Sequence, residues 1–248
     1  MGKNDRAAVA PAAGEPTHEE VVMAQNAAPG PGDAAGGPPP PDTSDMLAVH
    51  GALRDAFSAG SSRVRSAVPD DADRRELVAD YYENILWFLH AHHDGEEELI
   101  FPKLRQRMAE AGPLMDLMEA QHRDVVRLVS DSEASLAAWR AGEGGAQNQL
   151  AVQLDALSVT LEPHLADEET NVLPLCAQAL TIEEWGALPG HALSQYRGDK
   201  VWLIIGLIQD QQSPEERQVM LEHMPPPVVQ MWHEMGHRAF DDLKAKVG

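Results

Sequence analysis

Two stretches of this sequence carry metal-holding residue types at the same spacing. His92-His93-Asp94-Gly95-Glu96-Glu97-Glu98-Leu99-Ile100-Phe101-Pro102 and His164-Leu165-Ala166-Asp167-Glu168-Glu169-Thr170-Asn171-Val172-Leu173-Pro174 share the skeleton His-x-x-x-Glu-Glu, an apolar pair and Pro, 72 residues apart. Two lone histidines, His50 and His122, stand 42 residues ahead of His92 and His164, so the middle of the chain is a duplicated unit. On a helix, residues four apart share a face, and each His-x-x-x-Glu forms a two-pronged claw. Imidazole nitrogen and carboxylate oxygen without sulfur suit iron, manganese or zinc and exclude a thiolate site.

The surrounding pattern indicates which way the claws point. Val78, Tyr82, Ile85, Leu89, His92, Glu96 and Leu99 step by fours and threes, as do Leu150, Leu154, Leu157, Leu161, His164, Glu168, Asn171 and Leu175. Met46, His50, Leu53 and Phe57, and Met115, Met118, His122, Val125 and Val129, form two shorter seams with one histidine each. The expected fold is all-α: an antiparallel up-down four-helix bundle over residues 45–180, with an accessory helical segment over 181–248. A disordered Ala/Pro/Gly-rich tail over 1–42, with His18 a bystander, completes the chain.

Two residues of an antiparallel pair lie level when the turn falls midway between them. The midpoint of His50 and His92 is residue 71, beside Pro69, Asp70 and Asp71; that of His122 and His164 is 143, inside Gly142-Glu143-Gly144-Gly145. The middle connection has its midpoint at 107 but its break signal at Gly112-Pro113, a mismatch of about five residues or roughly 7 Å at about 1.5 Å per residue. Helix one is expected to run to about Ala67, and Pro163 to kink helix four. Gly95 suggests that bulk is unwelcome between the claw residues.

Burying two carboxylates and four imidazoles together costs several kcal/mol per unpaired charge, and a metal supplies the missing counter-charge. Six donors are too many for one tetrahedral zinc. Two six-coordinate ions sharing a bridge offer about ten further positions. The six side chains fill eight, leaving two for water, an exogenous ligand or another side chain.

This pattern resembles the hemerythrin-like (HHE cation-binding) family. The resemblance implies a non-haem di-iron centre, two iron ions with a bridging oxo or hydroxo group, for which manganese or zinc is not excluded. It implies His50, His92, Glu96, His122, His164 and Glu168 as metal ligands. It also implies a small exogenous ligand such as dioxygen, peroxide or nitric oxide, bound or reacted with in sensing, stress protection or iron handling. Oxygen-carrying hemerythrins have two histidines a turn apart on the third helix; here Met118 and Val126 flank His122 at that spacing. Glu119, three residues before His122, and His93, beside the claw, are the two candidates to replace the missing donor, while Tyr82 is about 15 Å away along its helix.

Composition narrows the remaining classes. A net charge of -21 disfavours nucleic acid and anionic membrane as partners. No run of about 18 apolar residues predicts a membrane span. The first residues lack the apolar run of a secretory signal, and the single Cys176 fits a reducing, cytoplasmic setting. His233-Glu234-Met235-Gly236-His237 matches a zinc-metalloprotease motif, but no His or Glu follows it to act as third ligand. A ferritin-like oxidase would need Glu-x-x-His on two helices of the bundle, and within residues 45–180 only Glu119 to His122 supplies one. A metal-stabilised helical interaction module without redox chemistry is the non-enzymatic alternative.

Overall fold

The periodic segments form helices throughout, and the described residues contain no strand. The computed structural model describes residues 39–68, 70–196 and 198–248. Residues 1–38 of the expected tail, His18 among them, and Pro69 of the first turn therefore lie outside the described residues. Residues 39–248 form one compact unit.

The first segment comprises α1 (Asp45–Ser58) and α2 (Gly60–Ser66), separated at Ala59 where one continuous helix is expected. Tyr82 stabilises the break: its buried hydroxyl donates to the Ala56 carbonyl at 3.0 Å. Gly60 fits there because a Cβ would stand 3.0 Å from the Cβ of Leu154. The second segment is α3 (Ala72–Gly95), capped by Asp71, followed by a π turn over Glu96–Ile100 and α4 (Phe101–Arg107). A non-helical Met108 and a short 3-10 turn over Ala109–Ala111 then lead into α5 (Gly112–Arg140). The chain thus turns at Met108, beside the midpoint residue 107, while Pro113 sits in the first turn of α5. The expected mismatch disappears, because proline marks the start of that helix and not the turn.

Gly142 and Gly145, at φ 79° and 86°, reverse the chain into the fourth segment. This segment is α6 (Ala146–Asp167), a second π turn over Glu168–Val172 and α7 (Leu173–Ala179). α6 continues through Pro163; Val159, whose carbonyl loses its helical donor, is 75% exposed, so water can take that role. The departure from α geometry comes instead at the π turns, which occupy equivalent places in the two repeats. Phe101 N–H bonds to the Glu96 carbonyl and Leu173 N–H to the Glu168 carbonyl, each reaching five residues back. Pro102 and Pro174 follow at once, and a widened turn relieves the clash of a proline ring with the carbonyl four residues back.

Each π turn adds one residue, so the buried seam shifts by one. Ile100 is buried in place of the expected Leu99, and Val172 and Cys176 in place of Asn171 and Leu175. α5 packs between α3 and α6, and α6 also packs on α1 and α2. Two apolar clusters result, one containing Leu53, Phe57, Leu89, Val125 and Leu161, the other containing Met46, Ile100, Phe101, Met118 and Val172. His50, His92, His122 and His164 each fall along the chain between a residue of one cluster and a residue of the other.

The C-terminal segment comprises α8 (Ile182–Trp185), α9 (Ala187–Gln195), α10 (Val201–Asp210), α11 (Pro214–Glu222), α12 (Pro226–Met231), a third π turn over Trp232–Gly236 and α13 (His237–Val247). Capping boxes open α8 and α11, Thr181 with Glu184 and Ser213 with Glu216. Trp202, Leu203 and Phe240 extend the first apolar cluster, and Trp185 donates to Asp45 at 3.0 Å. No helix among the described residues is long and apolar enough to cross a membrane.

At Gly206 α10 and α13 lie close together, because a Cβ there would stand 2.3 Å from carbons of the Phe240 ring. Gly206→Ala is therefore expected to destabilise the protein by about 1–3 kcal/mol through overpacking. Urea denaturation of the variant, with the transition midpoint compared to wild type, checks this.

Candidate metal centre

Between the two apolar clusters lies a layer of buried polar groups. His50, His122, His164 and Glu168 are at most 1% exposed, and Glu96 and His92 reach only 5% and 8%. Five of the inter-donor distances fall between 3.5 and 3.7 Å. Glu96 spans His92, whose Nε2 is 3.5 Å from Oε1, and His122, whose Nε2 is 3.5 Å from Oε2. Glu168 spans His50 at 3.5 Å from Oε2 and both His122 and His164, at 3.7 and 3.6 Å from Oε1. The six predicted donors are thus brought together, with each carboxylate turning one oxygen to one side and one to the other.

His93, one of two candidates for the missing donor, joins them. It is 2% exposed, stacks on His122 with ring centroids 4.1 Å apart, and sets its Nε2 3.2 Å from the Nε2 of His164. Phe101 also stacks near-parallel to the His122 ring at 5.5 Å. Glu119, the other candidate, is bound by Arg105 at 2.6 Å and partly exposed, so it takes no part. That removes the one Glu-x-x-His pair within residues 45–180 that a ferritin-like site could have used. Two groups of donors that could hold a metal emerge: His50, His92, Glu96 and Glu168, and His93, His122 and His164.

The outer edges of three rings are held by neighbours, which settles their tautomers. His50 Nδ1 lies 2.9 Å from Glu169 Oε1, and His122 Nδ1 lies 2.8 Å from Glu97 Oε1. A carboxylate only accepts, so both Nδ1 atoms donate and both Nε2 atoms present a lone pair to the layer. His164 Nδ1 lies 2.9 Å from Gln121 Oε1, and that amide is oriented by its own donation to Asp167. Metal-binding histidines are held in this way in general. These outer partners are not legible from spacing within one helix, although Glu97 and Glu169 occupy the same place in the two repeats.

The inner atoms have the opposite character. Nε2 of His50, His92 and His122, Oε2 of Glu96 and both oxygens of Glu168 are buried without a hydrogen-bond partner. Two donors each about 2.1 Å from a cation, at angles of about 90° to 120°, stand about 3.0 to 3.6 Å apart. The spacings above, 3.5 to 3.7 Å, lie at the upper end of that range, so the residues fit a cation-binding centre. Burial, with the Glu168 carboxylate adding to it, pushes the Glu96 carboxyl well above the usual range. Burial would also raise Glu168, but the surrounding imidazoles, His122 first and then His164, His92 and His50, bring it down to about 2. Burial lowers His92 and His93 well below the usual imidazole value and His164 to about 4, favouring the neutral form that coordinates a metal.

The remaining motif residues lie apart. His233, Glu234 and His237 are exposed, and no third donor converges with them among the described residues. Glu234 accepts from Gln230. Gly95 owes its size to another cause than the claw: a Cβ there would meet Leu188 of α9 at 3.2 Å.

A helical protein with a buried histidine and glutamate cluster that could hold metal is the class this fold and site define. The chain belongs to the hemerythrin HHE cation binding domain family, whose model matches residues 42–176, more than half of its length. Similar proteins described only as uncharacterized occur in Mycobacterium bovis and Mycobacterium tuberculosis, at 28% identity over 145 residues, 57% of this chain and 55% of theirs. The chain thus spans about half the length of the curated relatives it matches. No solved structure matches it.

Proposed function

We propose that this chain is a non-haem di-iron protein of hemerythrin type that acts in the cytoplasm and binds or reacts with dioxygen, peroxide or nitric oxide. Its four segments would form an up-down-up-down bundle as the metal-binding unit, with residues 181–248 as an accessory. The carrying observation is the set of buried inner donor atoms without partners, 3.5–3.7 Å from one another, with the outer nitrogens of His50 and His122 held by carboxylates.

Seven side chains would serve two ions. His50 and His92 would bind one, and His93, His122 and His164 the other, with Glu96 and Glu168 spanning both. The ion held by only two imidazoles would have more room for a small exogenous ligand, and His92, one of those two, is the most exposed of the seven at 8%. Bound iron supplies one-electron chemistry toward small oxygen- or nitrogen-containing ligands; the protein's part is to orient the imidazoles and exclude bulk water.

The deep burial of the centre also favours a second reading, in which metal only stabilises a helical interaction module. Iron analysis after aerobic purification, with absorption spectra before and after azide or peroxide, separates the two. Two irons per chain with ligand-sensitive charge-transfer bands are expected; bound metal whose spectrum ignores azide and peroxide would leave the second reading. His93→Gln is expected to keep the fold and lose part of the second ion. Full iron content and an unchanged spectrum in that variant would remove His93 from the ligand set.

A further inference from the structure

The two carboxylates behind the centre are exchanged between the repeats. Glu97, in the first repeat, holds His122 of the second, and Glu169, in the second, holds His50 of the first. A carboxylate accepting from a metal-bound imidazole raises the basicity of that imidazole and favours the more highly charged state of the metal. Were the surroundings equal, the two halves would be tuned alike.

They are not equal. The Glu169 oxygen that accepts from His50 also accepts from Arg54 Nη1 at 2.6 Å, and Arg54 pairs in turn with Glu162. One oxygen is therefore shared between an imidazole and a guanidinium. The position 72 residues after Arg54 is Val126, which is 43% exposed, and among the described residues no Lys or Arg pairs with Glu97. Glu97 is the more exposed of the two, at 44% against 25%, but solvent screens a charge at a distance more than it weakens a direct 2.8 Å hydrogen bond. A guanidinium on the accepting atom acts on that bond itself.

We infer that Glu97 and Glu169 are positioning residues that tune the two halves of the centre unequally, Glu97 acting on His122 at full strength and Glu169 acting on His50 through a charge that Arg54 neutralises. This rests on the di-iron reading. Outer partners of metal-bound histidines are commonly worth about 10–100-fold in metal affinity. Glu97 belongs in that range and Glu169 below it.

The test uses the full chain loaded with iron, with retention measured by chelator competition and the midpoint potential by redox titration. Glu97→Gln is expected to weaken retention by about 10–100-fold and to raise the potential, by about 59 mV for each tenfold loss of ferric over ferrous affinity. Glu169→Gln is expected to shift both by less than about tenfold. Arg54→Gln is expected to move retention and potential the opposite way, since it frees the Glu169 oxygen. Equal effects of Glu97→Gln and Glu169→Gln, or weaker retention in Arg54→Gln, overturn the inference. Should Arg54→Gln fail to fold, the comparison of the two glutamate variants decides alone. A wild-type chain that retains no iron would instead sink the di-iron reading, a failure visible before any variant is made.

Discussion

Removing metal from the loaded protein with a chelator is expected to lower its unfolding temperature by roughly 8 to 16 °C. The centre holds two carboxylates and five imidazoles in a layer at most 8% exposed, flanked on both sides by apolar side chains. Most of their inner atoms have no partner within the protein, and such atoms carry the desolvation penalty of buried polar groups. Metal that binds only the folded state at about 1,000 times its dissociation constant contributes about 4 kcal/mol. In a domain of this size about 1 kcal/mol moves the midpoint by about 2–4 °C. Scanning calorimetry of loaded, stripped and reloaded protein measures the shift. If stripped and loaded protein unfolded at one temperature, the layer would be satisfied without a cation. A purely structural metal predicts the same loss of stability but no change in spectrum with azide or peroxide, so calorimetry and spectroscopy are needed together.

Replacing Glu96 by Met is expected to have opposite effects with and without metal. Glu96 is the carboxyl that the protein alone accommodates least: burial and the nearby Glu168 raise it well above the usual range, and its Oε2 has no partner. Removing a buried carboxyl oxygen that has no partner relieves a desolvation penalty of about 1–3 kcal/mol. Metal-free Glu96→Met is therefore expected to unfold at a higher temperature than metal-free wild type. With iron the order reverses, because the variant loses a group able to reach both ions and retains fewer than two. Calorimetry with and without iron, alongside iron content, reads both signs. A metal-free variant less stable than metal-free wild type would mean that Glu96 makes stabilising contacts inside the protein, and the site would be a polar core rather than a metal centre.

The family and the meeting of six buried histidine and glutamate side chains at one depth were legible along the chain. A His-x-x-x-Glu spacing places two groups on one face of any helix, and a turn midway between two histidines makes them level whatever else the protein does. Those are properties of a single helix or hairpin, and the repeat at 72 residues states them twice. The seam beyond Glu96 and Glu168 was read one residue short, at Leu99 and Asn171, because a π turn adds a residue that periodicity cannot count. Pro102 and Pro174, at equal distances from the two claws, were the available signal.

The choice between His93 and Glu119 was not legible, because both stand at helical spacings able to reach the centre. Arg105, on a neighbouring helix, draws Glu119 outward, whereas the stacking of His93 on His122 keeps it inside. The exchange of Glu97 and Glu169 between repeats joins residues 25 and 119 positions apart, the capture of Glu169 by Arg54 residues 115 apart, and the seating of α9 over Gly95 residues 93 apart. The sequence by itself therefore determined which groups face inward and at what depth, since helical periodicity is local. Only the tertiary structure decided which of them meet and what stands behind each ring, since those contacts depend on how separate helices lie against one another.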